Sequence, residues 1–164
     1  MLLECEVLVP GPEYGRADEL DVERELFDLV VVTQTCDLVN PPAPRFVACC
    51  PLFPLELWRE VNPDLASNSK LNEIASGRLQ GLHLLPPADH AHDELWWSSM
   101  IVDFRDIYDL PFEYLSRRAV RTRPRLRLAS PYLEHFSQAF ALHFMRVALP
   151  LPRPRFKGTS GHQP

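Results

Sequence analysis

Thr33-Gln34-Thr35-Cys36-Asp37 places hydroxyl, amide, thiol and carboxylate groups in five consecutive positions. A thiol is a nucleophile or metal ligand only as thiolate, which needs a cation or a helix N-terminus beside it. The carboxylate of Asp37 works against that negative charge, so a nucleophilic Cys36 would need an intervening histidine. His135 is the candidate, with Glu134 beside it to orient the imidazole as acid or base. Gln34, Cys36, Asp37 and His135 are thus the catalytic candidates, for a hydrolase or nuclease. The plainer alternative has Asp37 accepting backbone N–H bonds at a turn, Cys36 packing as a small apolar residue and His135 on the surface. Cys36, Cys49, Cys50, His83, His90, His92 and His135 show no Cys-x-x-Cys or His-x-x-x-His spacing. On a strand Cys49 and Cys50 point to opposite faces, so at most one of them could join Cys36 and a histidine. The spacing implies no metal and no cofactor, and a site assembled by the fold from these residues stays open.

A second set is basic. Arg121, Arg123, Arg125 and Arg127 alternate with Thr122, Pro124 and Leu126, and on a strand they would form one row of guanidinium groups suited to phosphates. No aromatic residue interleaves them, so base stacking is not indicated. Residues 1–115 hold 7 Lys/Arg against 21 Asp/Glu, a balance of −14; residues 116–164 hold 10 against one, a balance of +9, giving the net −5. The split suits an anionic partner, nucleic acid or an acidic protein, and equally suits a basic third neutralising its own acidic body.

The chemistry-bearing stretch leaves Leu26–Thr33, whose aliphatic run predicts a strand buried on both faces. Before it, Glu4–Val9 predicts a short strand closed by Pro10-Gly11-Pro12, and Glu13–Glu25 an exposed acidic excursion. Arg45–Leu52 reads as a strand ended by Pro51 and Pro54. Leu55–Glu60 predicts a short helix. Asn62-Pro63 caps a second, buried through Leu65, Leu71 and Ile74 and ended by Gly77. Further strands are expected at Leu79–Leu85 and Trp97–Phe104, then a short strand and a turn or helix over Asp106–Leu115. Ser130 as N-cap with Pro131 at the first helical position starts a C-terminal helix, whose stripe should bury Phe136, Phe140 and Phe144 together.

At 164 residues, 46% hydrophobic and 24% charged, the chain has the composition of one ordinary globular domain, taken as 1–152 with a flexible basic tail over 153–164. No apolar run has the length of a membrane span. Met1–Glu6 lacks the regions of a signal peptide, and four cysteines including the adjacent Cys49-Cys50 form no disulfide pattern. The expectation is a reducing, cytoplasmic setting.

Short strands with an α insertion and a terminal helix predict an α+β fold built on a small, strongly bent antiparallel β-barrel. The rhythm of Leu29–Gln34 ending in Asn40, then Val47–Leu52, then Ile101–Ile107 with Leu115, resembles the MazF/PemK toxin group across residues 4–120. That resemblance implies an SH3-like barrel in a toxin–antitoxin-like context, and RNA binding or cleavage. The group places Arg-Pro before the strand matching Leu29–Thr33, where this chain has Phe27-Asp28. Its hydroxyl after the next strand's proline is replaced by Leu52-Phe53. The resemblance therefore implies the barrel and not the nuclease chemistry. Thr33–Asp37 with Ser130–His135 is also similar to a group of uncharacterised bacterial proteins, a likeness that implies no activity. The favoured expectation is a binding module for nucleic acid or a partner protein, with a homodimer left open, and the enzyme centred on Gln34, Cys36 and Asp37 is the alternative.

Overall fold

The computed structural model describes residues 1–15, 21–87, 98–121 and 125–145. It is an α+β fold in the order β1 (Leu2–Pro10), β2 (Val22–Val31), α1 (Thr35–Val39), β3 (Phe46–Pro54), α2 (Leu55–Val61), α3 (Asn68–Ala75), β4 (Leu82–Leu85), β5 (Met100–Asp103), β6 (Tyr108–Pro111), α4 (Phe112–Arg121) and α5 (Tyr132–Phe144). A 3-10 turn over Pro63–Leu65 separates α2 from α3. The antiparallel sheet runs β1-β2-β3-β5-β4, with β6 also on β3.

The expected two-faced burial is seen at consecutive residues: Leu29 is 0% and Val30 4% exposed. Leu29 joins Leu2, Cys5, Val7, Val47, Cys49, Leu110 and Leu115 in one core. Val30 joins Cys50, Leu52, Met100, Val102, Phe104 and Phe136 on the opposite face, beneath α5. A third cluster, Trp58, Leu71, Ile74, Leu82 and Ile101, lies under α2 and α3. The first core draws on β1, β2, β3, β6 and α4, so this part of the sheet curls around it. The expected closed barrel is not formed: the sheet stays open, and the outer strands β1 and β4 each pair with one neighbour among the described residues.

β3 is the hub. Its Phe46–Cys49 half pairs with β6 and its Leu52–Pro54 half with β5, along the same edge, while Cys49–Leu52 pairs with β2 on the other. This corrects the reading of Pro51 as a terminator. The Val32 N–H donates to the Ala48 carbonyl at 2.9 Å, and backbone direction alternates along a strand. The nitrogen of Pro51 therefore points away from β2, into the gap between β6 and β5, where no ladder bond is lost.

The acidic excursion also ends earlier than expected, since Val22–Glu25 continue β2 in register with Val7–Pro10. Beyond Asp28 this end of β2 has no β3 partner, so β1 and β2 extend as a two-stranded ribbon. β1 carries a bulge: Leu3 and Glu4 oppose Asp28 between the Leu2–Leu29 and Cys5–Phe27 pairs, with Glu4 at φ +48°. The Asp28 carboxylate accepts the Glu4 N–H at 2.9 Å, and the Arg118 guanidinium donates twice to the Leu3 carbonyl, at 2.9 and 3.1 Å. The Tyr114 hydroxyl accepts the Glu6 N–H at 2.7 Å. Helix α4 thereby caps an edge that would otherwise expose unpaired backbone.

The single helix expected from Asn62 is two elements. Ser67 caps α3 by accepting the Lys70 N–H at 3.3 Å. Gly77 at φ +70° ends it, with Gly77 N–H on Ile74 O and Arg78 N–H on Glu73 O, the paired bonds of a Schellman motif. Leu71 and Ile74 are buried as expected, and Leu65 is half-buried against them. In α5, Pro131 rather than Ser130 occupies the cap position, and the first turn is closed by backbone bonds to Ala129 and Pro131. The expected aromatic stripe is graded. Phe136 is 4% exposed, Phe140 half-buried and Phe144 54% exposed, and in the last turn of α5 it is His143 that meets Phe104. No helix among the described residues is long and apolar enough to cross a membrane.

Candidate functional site

The β2–β3 ladder ends at Ala48, whose carbonyl takes the N–H groups of Val32 and Thr33 and whose N–H donates to Thr33 Oγ1 at 2.9 Å. The hydroxyl of Thr33 thus replaces the next ladder bond, and the chain leaves the sheet into α1. Gln34 sits at the cap position of that short helix without its side chain capping it. Its Oε1 instead accepts from Cys36 Sγ at 3.5 Å, and the Asp37 carboxylate accepts from the same thiol at 3.6 Å. Gln34, Cys36 and Asp37 are therefore together and exposed. Among the described residues Asp37 accepts no backbone N–H, contrary to expectation. The Asp37 and Leu38 N–H groups both donate to the Gln34 carbonyl, and Thr33 rather than Asp37 supplies the side-chain acceptor at the strand end.

Gln34, Thr35 and Asp37 form one rim of a groove of about 800 Å³ between α1 and α5. Val30, Val32, Leu128, Phe136 and Phe140 line its inside, and Leu133, Ser137 and Arg127 close the α5 side. The groove joins residues nearly a hundred positions apart, Arg127 from the basic row and Thr33, Gln34, Thr35 and Asp37 from the polar strand end. Cys36 is outside its lining. His135 is exposed on α5 and lies on the β4 side, close enough to His83 that its charge helps lower that imidazole's pKa. Burial is the larger cause, and together they bring His83 down to about 4, a neutral ring stacked on Phe104. Cys36 and His135 are thus directed to different neighbours, and the pairing expected for nucleophilic catalysis is not assembled.

The arginine row is also dispersed. Arg121 is the last residue of α4, Arg123 lies outside the described residues, and 125–129 form no strand. Arg125 lies in a small recess with Leu2, Leu38 and Ala119, whereas Arg127 reaches the α1–α5 groove. The alternation suggests a strand, but the helical run from Phe112 continues through Arg121, and 125–129 form no ladder, meeting the start of β1 only through the Met1 ammonium, which donates to the Leu126 carbonyl at 2.8 Å. Among the possible ligands, His90 and His92 lie outside the described residues. Cys49 and Cys50 are wholly buried on opposite faces, where burial pushes both thiols up to about 12. No group of three or more His, Cys, Asp or Glu among the described residues could hold a metal ion. Thr35 belongs to the stretch singled out in the sequence, whereas Leu133 and Ser137 are not read there as site residues, because only the packing of α5 across the β2 exit brings them to the groove. Comparison with protein-family models, curated proteins and solved structures finds no match for the chain.

Proposed function

We propose that this chain is a binding module whose α1–α5 groove takes an apolar segment of a partner protein, with Asp37, Gln34 and Arg127 fixing its orientation. The carrying observation is that these three side chains rim one apolar groove. Its volume is within the range of pockets that enclose specific ligands. Aliphatic and aromatic walls favour an apolar side chain, while one carboxylate and one guanidinium at the mouth suit the polar groups flanking it. Leu133, 47% exposed at the groove, supplies apolar surface that a partner would cover. Nucleic acid is served less well, since the arginines are dispersed and Asp37 stands at the same mouth. The curl of β1, β2, β3 and β6 around one core supports an SH3-like, MazF/PemK-like reading of the scaffold. The test is photo-crosslinking from Leu133 in cells, with Asp37→Lys and Arg127→Glu as variants. A protein adduct lost in both folded variants is the expected result. Adducts to RNA or DNA, or an adduct indifferent to both substitutions, would overturn the reading.

A further inference from the structure

A second groove, of about 800 Å³, runs between the β1–β2 ribbon and α4, away from the site above. Its ribbon wall carries Glu4, Glu6 and Leu26, and its helix wall Arg117, Val120 and Arg121. Leu26 is 65% and Val120 67% exposed, and Leu8, on the same ribbon face as Leu26, is 66% exposed. Such a run of large apolar side chains in water marks an interaction surface. Arg118 is turned inward to Leu3 and Glu4, whereas Arg117 and Arg121 have no carboxylate partner among the described residues.

We propose that this face is the interface of a two-fold homodimer. A two-fold axis running along the groove exchanges its walls, so the acidic ribbon wall of one copy meets the basic helix wall of the other. Leu26 then packs against the partner copy's Val120, and Glu4 and Glu6 face the partner copy's Arg117 and Arg121. Each contact occurs twice, as an isologous interface requires. The charge pattern selects this occupant. A chain of net charge −5 repels its copies over most of its acidic surface, yet here each copy offers both signs in complementary order. Phosphate backbones would meet Glu4 and Glu6 in the same groove.

Sedimentation velocity over a concentration series tests the proposal, with circular dichroism confirming folding. Wild-type protein should convert to a dimer with rising concentration. Val120→Glu, Glu6→Arg and Arg121→Glu should each weaken the dimer by about tenfold or more, since each substitution removes its contact at both symmetry-related positions. Mixing Glu6→Arg with Arg121→Glu should restore association, because both charge contacts are then opposite in sign in the mixed dimer. A wild-type monomer at every concentration overturns the proposal, as does a dimer indifferent to these substitutions. A photo-crosslink from Leu26 to a different protein or to nucleic acid, without a self-adduct, overturns it in favour of that occupant.

Discussion

Truncating the three phenylalanines of α5 one at a time should produce a descending series of losses. Phe136 is 4% exposed, and its ring meets Phe104 at 5.4 Å and His83 at 5.5 Å, both edge to face. Deleting a buried phenyl ring costs about 3–5 kcal/mol, of which two such ring pairs account for roughly 1–3 kcal/mol. Phe140 is half-buried and keeps one core partner, Phe104 at 5.3 Å, so Phe140→Ala should cost about 1–3 kcal/mol. Phe144, 54% exposed, should cost less than about 1 kcal/mol. A domain holds only about 5–15 kcal/mol in total, so Phe136→Ala should shift the urea midpoint conspicuously at an unchanged slope. A Phe144→Ala loss equal to or larger than that of Phe136→Ala would refute the placement of α5 on the sheet.

Other consequences are equally direct. Cys36 is exposed while Cys5, Cys49 and Cys50 are buried, so native protein should give one fast-reacting thiol and denatured protein four; a second fast thiol in the native state contradicts the packing. Burial and the His135 charge lower the His83 pKa from 6.5 to about 4, so the unfolded chain binds that proton at higher pH than the folded one. This contribution to stability is complete above about pH 6.5 and declines as pH falls toward 4, by about 3 kcal/mol at the acid end; an equal pH dependence in His83→Gln would exclude His83 as its source. Asp37→Ala should change stability by no more than about 0.5 kcal/mol, since the carboxylate is exposed and bound only by a thiol. Arg118→Ala leaves the Leu3 carbonyl without its donors and should cost about 1–3 kcal/mol in thermal or chemical unfolding; a silent substitution would show that the bulge does not need it.

Where the sequence was informative, burial followed directly from side-chain type. The aliphatic run through Leu29 and Val30 predicts a strand covered on both sides, and both are buried on opposite faces; Gly77 ends α3 as its place after the apolar positions predicts. It misled where the outcome depended on a partner far along the chain. Pro51 ends a strand by its own chemistry, yet β3 changes neighbours at that residue and tolerates it. Glu23 and Glu25 look solvated and are, but on a paired ribbon whose edges are water-exposed. Phe144 continues the helical stripe at four-residue steps, yet in the last turn of α5 His143 takes the place against Phe104 and leaves Phe144 in water. Of the candidate site, Gln34 and Asp37 were visible as an abrupt polar end to an aliphatic run. Arg127 was visible for another reason, and the groove uniting them exists only because α5 crosses the β2 exit.

The division of β3 between three neighbours bears on how the molecule opens. The amide of Cys50 faces β2, those of Val47 and Cys49 face β6, and that of Phe53 faces β5. No single neighbour can peel away and release them all. Deuterium should therefore enter Cys50 and Leu52 only when the whole sheet comes apart, whereas the outer strand β4 can take it up by fraying. Pro51 has no amide proton to report, which leaves the junction itself silent between its slowest neighbours. A slow-exchange map centred on β3 would trace one cooperative unit, in which the ribbon lobe and the α2–α3 lobe cannot melt independently. Early exchange at Cys50 with protection persisting at Ile101 would show instead that the two lobes part along this strand.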